Sequence, residues 1–433
     1  MDKSGKRLSR FVVSASFENG KTYYYSTENG NMITIDTELK NAFEDIVITN
    51  PGSELIRKLE GAGFLTDVET DEYKKICLKM ARREYEASEC LELTLLPTEK
   101  CNFRCVYCYE DFKSGKMSDA TANAIVRYVD DNIDRFKGLS VAWFGGEPLL
   151  EVKRVISLSE KLIEICKKHK KSYLASMTTN GYLLSANLFK KLIKCKIYHY
   201  QITIDGEKVT HDRQRKLISG EGSFDTIIAN LSEIKSNNNG RGLWTISLRT
   251  NVTIPMLPYL RNYLERMAGF INGDRRFSLM IRKMWGNNTE EADRLLVDNE
   301  AFETVMKEIA DSVGILSSDY QFTHDLGYRC YAAKPHSLVV RADGRLAKCT
   351  LELDSCIGRI EEDGTFNVDE NKLASFVIPD PKRLAECSEC SFFAACGGNY
   401  CPVMENTSGC KNMIDTFVRS ELRLFSNEAK SCV

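Results

Sequence analysis

Three cysteines stand within eight residues of the chain, in the sequence PTEKCNFRCVYCYE, as Cys101, Cys105 and Cys108. Their C-x3-C-x2-C spacing allows three thiolates on one short loop to hold three corners of a four-iron cluster. Because the loop offers no fourth cysteine, one iron is left open for another ligand. A structural zinc site is the alternative, but such a site is closed by four ligands and this loop supplies three. The spacing therefore favours an iron–sulfur cluster with an open iron.

Strand-like and helix-like segments alternate six times from Leu91 onward, and they must position these cysteines. The strand candidates are 91–96, 139–144, 173–179, 199–204, 243–252 and 276–283. The helix candidates are 118–136, 152–169, 185–195, 224–235, 256–267 and 299–313. Strands separated by helices of this length form right-handed β-α-β units with a parallel sheet. We therefore expect an α/β fold, in the form of a partial (β/α)6 barrel.

Two further motifs follow the next two predicted strands. The sequence FGGEP occupies 144–148 after the second strand, and TTNG occupies 178–181 after the third, as the cysteine triplet follows the first. Ligands of parallel α/β sheets bind at the carboxyl ends of the strands. The three motifs are thus expected to meet in one active site.

Composition excludes several classes of partner. The chain of 433 residues has Lys+Arg 59 against Asp+Glu 61, a formal charge of -2, which gives no electrostatic basis for binding nucleic acid or an anionic membrane. There is no uncharged apolar stretch of about 18 residues and no signal-like start, so we expect a cytoplasmic protein. In that compartment its 16 cysteines are expected to serve metal binding or catalysis rather than disulfides.

Seven more cysteines follow the predicted barrel in a regular order. They are Cys330, Cys349, Cys387, Cys390, Cys396, Cys401 and Cys410. This set predicts either two zinc sites or two iron–sulfur clusters, and spacing alone does not separate these alternatives. Cys356 and Cys432 fall outside the pattern, and we interpret them as a buried small residue and a free thiol near the carboxyl terminus.

The triplet, with Tyr107 before its last cysteine and Gly-Gly-Glu-Pro at 145–148, resembles the radical S-adenosylmethionine superfamily. The resemblance covers roughly residues 91–433. It implies that S-adenosylmethionine binds the open iron and is cleaved to a 5′-deoxyadenosyl radical, which abstracts a hydrogen atom from the substrate. It assigns cofactor contacts, and no separate catalytic residue, to Tyr107, Gly145, Gly146, Glu147, Asn180, Thr203 and Arg215.

Several neighbouring residues keep alternative interpretations. Asn180 either reaches the nucleoside or only forms a turn. Arg249 and Arg282 either face the barrel lumen or have a structural or solvent-facing role. His211, in the segment before Arg215, is expected to be structural.

The seven later cysteines resemble the SPASM extension of that superfamily, which holds two auxiliary clusters and would bring the total to three [4Fe-4S] clusters. The resemblance assigns Cys330, Cys349 and Cys401 to the first auxiliary cluster. It assigns to the second the set Cys387, Cys390, Cys396 and Cys410. Four residues separate Cys396 from Cys401, where the family commonly has three. His324 stands where some relatives have a further cysteine, so the first auxiliary cluster has either His324 or an open iron at its fourth position.

The amino-terminal region predicts a separate α+β unit of winged-helix type. Three strand-like segments within 10–36 precede helix-like segments near 38–44 and 52–61 and a return strand at 63–65. The unit resembles the peptide-recognition element of radical enzymes that act on ribosomally made peptides, although a structural cap without a ligand is the alternative. We expect three domains, at 1–90, 91–315 and 316–433.

The resemblance implies a peptide maturase that installs a crosslink, most plausibly a thioether, in a precursor peptide bound through its leader segment. A reducing electron donor of flavodoxin or ferredoxin type is the implied second partner. The alternatives are an activity like that of anaerobic sulfatase maturases, a peptide epimerase, and a non-catalytic metal-binding adaptor. Thr350 disfavours the first of these, because those enzymes typically have an acidic residue at this position.

Overall fold

The structure is a computed structural model of the chain. It describes the residues 5–17, 19–41, 43, 54–87, 90–110, 112, 115–237, 244–284, 290–298, 301–302, 305, 330–378, 385 and 387–396. The predictions made for His324, Cys401, Cys410 and Cys432, and for most of the helix at 299–313, concern residues outside these ranges. Within the described ranges, no helix is long and apolar enough to cross a membrane.

The amino-terminal unit contains the three predicted strands as an antiparallel meander. Its elements are β1 (Lys6–Leu8), β2 (Val12–Ser16), β3 (Lys21–Ser26), β4 (Met32–Asp36), a 3-10 helix (Thr37–Leu39), α1 (Glu54–Gly61), β5 (Leu65–Asp67) and α2 (Glu72–Ala87). Strand β3 lies between β2 and β4, while β1 pairs with β5. Tyr24, Ile56 and Phe64 are almost completely buried in a core that joins the meander to α1. The unit therefore has a small core of its own.

The central part of the chain is a parallel α/β sheet. Its elements are β6 (Cys90–Leu95), β7 (Phe103–Cys105), α3 (Asp119–Asn132), β8 (Gly138–Trp143), α4 (Val152–Lys168), β9 (Ser172–Thr179), α5 (Ala186–Lys194), β10 (Ile197–Thr203), α6 (Lys208–Gln214), β11 (Arg215–Leu217), α7 (Phe224–Asn237), β12 (Thr245–Val252), α8 (Leu260–Ile271), β13 (Phe277–Lys283) and α9 (Glu290–Asp293). The long strands stand in the order β13-β12-β10-β9-β8-β6, with each neighbouring pair parallel. The six-stranded α/β fold predicted from the alternating pattern is confirmed.

Side-chain alternation explains how this sheet buries its core. In β6, Leu91, Leu93 and Leu95 are buried, whereas Glu92 and Thr94 between them are half-buried. The buried series belongs to one large apolar cluster that includes buried residues of the surrounding helices. Since side chains alternate along a strand, the second series faces the interior of the barrel.

The carboxyl-terminal region extends the barrel sheet. Its elements are β14 (Ser337–Val340), β15 (Arg345–Ala347), β16 (Gly358–Ile360), β17 (Phe366–Val368), α10 (Glu370–Val377) and α11 (Phe393–Cys396). Strand β14 pairs in parallel with β6, and β15, β16 and β17 follow as antiparallel strands, so that ten strands form one sheet. We did not predict this pairing, which joins the region of Cys330 and Cys349 directly to the strand before the cysteine triplet.

A buried ion pair strengthens the same junction. Arg341, directly after β14, donates from Nε and Nη2 to the two carboxylate oxygens of Glu99 at 2.9 and 2.7 Å. Both side chains are 2% exposed. Arg341 Nη1 donates to the carbonyl oxygen of Leu353 at 2.8 Å. The guanidinium therefore connects the loop before Cys101 with the segment that follows Cys349.

We predict that Arg341→Met destabilises the protein by about 3–5 kcal/mol, because it leaves the Glu99 carboxylate buried without its partner. Arg345→Met is the matched control, since the pair of Arg345 with Asp343 is about one-third exposed and such pairs contribute at most about 1 kcal/mol. Denaturant unfolding of both variants measures the difference. Equal losses of stability would contradict a structural role for the buried pair.

Candidate active site

The cysteine triplet lies on a loop that a short hairpin-like pairing holds in place. Strand β7 pairs antiparallel with β11, and this register sets Cys105 opposite Arg215. The backbone N–H of Cys108 donates to the carbonyl oxygen of Cys105 at 3.1 Å, which turns the chain between the second and third cysteines. The loop is thus positioned by residues more than one hundred positions later in the sequence.

Burial keeps the thiols of the triplet protonated in the absence of a metal, which makes them poor nucleophiles. Burial, together with the neighbouring Glu147, Cys105 and Cys108, raises the pKa of Cys101 to about 12. Burial also raises the pKa of Cys108 to about 12, with Cys105 as the next cause. Within the described residues, no three His, Cys, Asp or Glu side chains lie close enough to hold a single metal ion. The thiols would lose their protons when a cluster binds, as metal coordination requires.

The FGGEP turn lies against the backbone that leads into the triplet. A side chain at Gly145 would place Cβ 2.3 Å from the carbonyl oxygen of Thr98, and Gly145 has a φ of +111°. A Cβ at Gly146 would lie 2.5 Å from the carbonyl oxygen of Lys100. The N–H of Glu147 donates to that same oxygen at 2.9 Å. Glycine is required at both positions because two backbones touch there.

The Glu147 carboxylate joins the second motif to the third. It is completely buried and accepts hydrogen bonds from the Thr179 hydroxyl at 2.7 Å, from the Asn180 N–H at 2.8 Å and from the Leu149 N–H at 3.0 Å. Burial raises the pKa of Glu147 against the lowering effect of these bonds. The assignment of Gly145, Gly146 and Glu147 to cofactor binding stays a prediction, and the structure shows that the Glu147 carboxylate also joins the second and third motifs.

Asn180 lies beside the first cysteine of the triplet. Its Nδ2 donates to Asn102 Oδ1 at 2.8 Å and lies 3.9 Å from the Cys101 sulfur. Its Oδ1 accepts from the N–H of Tyr182 at 3.0 Å, which is a turn-forming contact. Both interpretations of Asn180 are therefore compatible with its position, and its contact with the nucleoside stays a prediction.

A buried polar network connects the triplet to the fourth and fifth parallel strands. The Tyr107 hydroxyl donates to the Asp205 carboxylate and accepts from Arg215 Nη1 at 2.8 Å. Asn251 donates from its side chain to the same hydroxyl at 3.3 Å and from its backbone to Asp205 at 2.7 Å. Sequence reasoning missed Asp205 and Asn251. The position of Asp205 directly after a strand, in QITIDG, was the available signal.

The surroundings of Arg215 and Thr203 indicate whether a cofactor with a carboxylate group fits the site. Arg215 is 7% exposed, and its Nε is buried without a hydrogen-bond partner among the described residues. An unpartnered buried donor is costly, and a planar guanidinium matches a carboxylate well. Thr203 ends β10 and is buried beside this network. The arrangement fits the predicted cofactor contacts.

The register of the sheet shows which face of the barrel Arg249 and Arg282 lie on. Arg249 pairs with Thr203, and Arg282 pairs with Asn251, whose side chain reaches Tyr107. Because adjacent residues in register point to the same face, both arginines lie on the interior face of the barrel. Arg249 Nε donates to Asn251 Oδ1 at 2.9 Å.

His211 has the structural role expected of it. It is completely buried, its Nδ1 accepts from the N–H of Asp205 at 3.1 Å, and its Nε2 lies 3.1 Å from the Ser223 hydroxyl. Burial holds the pKa of His211 well below its ordinary value, so the ring is neutral. The imidazole thereby fixes the turn that carries Asp205.

Two cysteines predicted for the first auxiliary cluster, Cys330 and Cys349, have neighbouring residues that contact each other and pack beside FGGEP. Tyr331 follows Cys330, and its hydroxyl accepts from the Thr350 N–H, next to Cys349, at 2.9 Å. Tyr331 packs against a small core containing Leu96, against which Phe144 of FGGEP also packs. Cys401, the third predicted ligand of this cluster, and His324 lie outside the described residues.

The second auxiliary set is described in part. Cys387 and Cys390 are half-buried, and the N–H of Cys390 donates to the carbonyl oxygen of Cys387 at 3.0 Å. Cys396 ends α11, and Cys410 lies outside the described residues. The assignment of this set to a second auxiliary cluster stays a prediction. Cys356, predicted to be a buried small residue, is half-buried, and its sulfur donates to the Leu353 carbonyl oxygen at 3.4 Å.

Comparison with known proteins agrees with this geometry. Residues 95–271 match the family model of the radical SAM superfamily. An uncharacterized protein of Methanocaldococcus jannaschii, MJ0907, is 27% identical over 274 residues, which cover 62% of this chain and 88% of that protein. The serine-type anaerobic sulfatase-maturating enzyme of Bacteroides thetaiotaomicron is 25% identical over 146 residues, which cover 32% of this chain and 34% of that enzyme.

Among solved structures, native anSMEcpe with bound AdoMet and Kp18Cys peptide is similar, with a TM-score of 0.57 and 20% sequence identity. The match covers 77% of this chain and 98% of that chain. The two chains share a fold over nearly the whole length of anSMEcpe.

We predict that Gly146→Ala lowers the iron bound after anaerobic reconstitution and destabilises the protein by about 1–3 kcal/mol, because the new methyl group displaces the backbone before Cys101. Gly269→Ala in α8 is the control, since a Cβ there meets nothing within 4 Å. Iron analysis and thermal unfolding compare the variants. Full iron content in Gly146→Ala would show that the close approach does not position the triplet.

We predict that Tyr107→Phe weakens S-adenosylmethionine binding at least tenfold, because the hydroxyl that joins Arg215 to Asp205 is lost. Hydrogen bonds to charged groups contribute about 1.5–3 kcal/mol, which is about a 10- to 150-fold change in Kd. Calorimetric titration of the reconstituted protein measures this change. Tyr200→Phe is the control, since the Tyr200 hydroxyl is buried without a partner among the described residues, and an equal loss there would count against the network.

Proposed function

We propose a specific activity for this chain from the premise that it belongs, through residues 95–271, to the radical SAM superfamily and is an enzyme. The proposal is a maturase with a SPASM extension, which abstracts a hydrogen atom from a ribosomally made precursor peptide and installs a thioether crosslink. Its substrate is a peptide bound through a leader segment, and its reductant is a protein of flavodoxin or ferredoxin type. We place this activity in the cytoplasm.

The observation that carries the proposal is the pairing of β14 with β6. Through this pairing, the strand before the Cys101 triplet has a direct neighbour that follows Cys330 and precedes Cys349. A radical-generating region and an additional cysteine-rich region thus share one sheet. The similarity to anSMEcpe, whose structure contains both AdoMet and a peptide, supports a peptide substrate.

The residues present fit the implied cofactors. Cys101, Cys105 and Cys108 would hold a [4Fe-4S] cluster, while the residues at 145–147 with Thr203 and Arg215 would hold S-adenosylmethionine. When bound, this pair supplies the 5′-deoxyadenosyl radical that abstracts hydrogen. Cys330, Cys349 and Cys401 would hold one auxiliary cluster, and the set Cys387, Cys390, Cys396 and Cys410 would hold another.

The protein's own task at the first site is orientation and exclusion of water. Asp205 and Tyr107 fix one side of the Arg215 guanidinium, which leaves its unpartnered Nε for a ligand. Asp205 is completely buried. In such a dry environment a charge-assisted hydrogen bond is stronger than in water. The cofactor's carboxylate would thereby be held in one orientation.

A thioether requires a substrate thiol close to the carbon that loses its hydrogen. The first auxiliary site has three assigned cysteines, one fewer than a closed site. Its fourth position would accommodate a cysteine of the peptide, whose pKa the metal would lower. Forming the carbon–sulfur bond would break one C–H bond, whose hydrogen atom the 5′-deoxyadenosyl radical would take up, and one S–H bond, whose proton would be released. The one remaining electron would pass to an iron–sulfur cluster.

Sulfatase-maturase chemistry is the second candidate, favoured by the similarity to two sulfatase-maturating enzymes. At the position where those enzymes typically have an acidic residue, Thr350 uses its N–H and hydroxyl to bind the Tyr331 hydroxyl, each at 2.9 Å. Epimerisation and a non-catalytic adaptor are further outcomes that the following experiments distinguish.

We predict that anaerobic reconstitution gives about twelve irons per chain, the content of three four-iron clusters, together with reductive cleavage of S-adenosylmethionine. Cys105→Ala should bind about four fewer irons and lose the cleavage, whereas Cys166→Ala, in the buried core of α4, is the control and should keep both. A colourless, zinc-loaded protein that leaves the cofactor intact would instead identify an adaptor.

The substrate is tested with a cysteine-bearing peptide encoded beside this chain. Mass spectrometry should show the loss of two hydrogens, and fragmentation should locate a sulfur–carbon bond. No mass change in ordinary water would indicate epimerisation. Conversion of a sulfatase peptide, with no change in the neighbouring peptide, would favour the sulfatase-maturase alternative.

A further inference from the structure

We propose that the outer face of the ribbon formed by β7 and β11 is the docking surface for an acidic electron-carrier protein, which would deliver its electron to the triplet site beside Val106. The surface consists of a cationic pair, Arg104 and Lys216, and an adjoining apolar cavity that Val106 lines. This inference rests on the proposed iron–sulfur cluster at the triplet, and it names the surface that the proposed reductant would use.

The ribbon divides its residues between two faces, because side chains alternate along a strand. Cys105 lies opposite Arg215 in the register, and both belong to the inner face, where Arg215 contacts the Tyr107 hydroxyl. Arg104 and Lys216 are each one position away on their strands and therefore belong to the outer face. The outer face thus lies behind the cofactor network and next to the cysteine loop.

The cationic pair has no acidic partner among the described residues. Arg104 and Lys216 are exposed and lie directly opposite each other, an arrangement that destabilises a strand pair when the charges are alike. Arg104 Nη1 donates to the carbonyl oxygens of Cys101 at 3.0 Å and Phe103 at 2.6 Å, and neither cation forms an ion pair with a described carboxylate. Since the whole chain has a formal charge of -2, this positive charge is a local property that favours an acidic partner.

An apolar cavity of about 450 Å³ adjoins the cationic pair. The N–H of Val106 donates to the carbonyl oxygen of Gln214 at 3.0 Å, so the outer face continues by one more pair of residues, and both line the cavity. Val209 and Tyr259 also line it, and they are 73% and 59% exposed. Exposed apolar side chains around a concave surface with a charged margin are typical of a protein interface.

The charges at the margin of the cavity agree with those of the cationic pair. Arg213 lines the cavity, is exposed and forms no ion pair with a described carboxylate. Glu207 is neutralised by Arg266 at 2.9 Å, which leaves Glu291 as the acidic lining residue without such a partner among the described residues. Positive charge therefore predominates along the whole surface.

Val106 connects this surface to the triplet. It follows Cys105 directly and lies two positions before Cys108, while its side chain lines the cavity. A carrier bound there would approach the cluster from the outer face and leave the inner face to S-adenosylmethionine. One electron would pass to the cluster, so that the carrier is oxidised as the cluster is reduced, with no bond formed or broken.

The first test measures binding of oxidised flavodoxin, an acidic carrier, to the full reconstituted chain by calorimetric titration. The double variant Lys216→Glu/Arg213→Glu should raise the Kd about tenfold or more, because it sets like charges against each other, and binding by the parent should weaken as salt is added. Lys190→Glu/Lys191→Glu makes the same change of charge on exposed residues near the end of α5, at the opposite end of the barrel. This control should keep the Kd of the parent.

The second test separates electron delivery from cofactor chemistry. With limiting reduced flavodoxin, the double variant should cleave S-adenosylmethionine about tenfold more slowly than the parent, because association is slower. With dithionite, a small chemical reductant, the two proteins should have equal rates. Val209→Glu should reproduce the result independently, since an acidic residue is tolerated in the first turn of α6 but places negative charge in the cavity.

The outcomes distinguish the docking surface from the proposed function. An unchanged Kd and an unchanged flavodoxin-dependent rate in both variants would overturn the inference. Weaker binding of the precursor peptide, with flavodoxin binding intact, would assign the surface to the substrate and also overturn it. A parent protein that does not cleave S-adenosylmethionine with dithionite would instead contradict the proposed function.

Discussion

Direct contact between two backbones is the constraint on which the candidate active site depends. The carbonyl oxygens of Thr98 and Lys100 lie where side chains at Gly145 and Gly146 would have to be. This contact fixes the entrance to the cysteine loop relative to the second strand. Glu147 connects the second strand to the third, because its carboxylate accepts a hydrogen bond from the N–H of Asn180. Three motifs that are separate in the sequence are therefore joined by direct contacts into one site.

Two contacts join the barrel to the cysteine-rich carboxyl-terminal region. The pairing of β14 with β6 and the bond of Arg341 to Glu99 meet within a few residues of Cys101. Burying an ion pair of this kind costs desolvation free energy. We therefore interpret its main contribution as holding the loop in one arrangement. The strands β14 to β17 accordingly extend the barrel's own sheet.

Local patterns predicted the six parallel strands, the helices between them and the convergence of the three motifs, because strand and helix periods are visible in short windows. The pairing of β14 with β6 was not predictable in this way, since its partners lie far apart in the chain. The partners Glu99 and Arg341 are 242 positions apart, and in the sequence each is one charged residue among many. Asp205 followed a predicted strand, but its role in the site depends on its contacts with Tyr107 and Arg215. Only the fold brings these three residues together.

The long separation of β14 from β6 in the sequence also affects folding during synthesis on the ribosome. Strand β6 can pair with β8 soon after both emerge, but its other edge has to wait for residues 337–340. At about 5–20 residues per second, that delay is on the order of 10–50 s. Throughout it, a nascent chain presents the unpaired backbone of an apolar strand, which is a template for aggregation. Expression yield of this enzyme should therefore depend on chaperones that protect this edge until β14 has been synthesised.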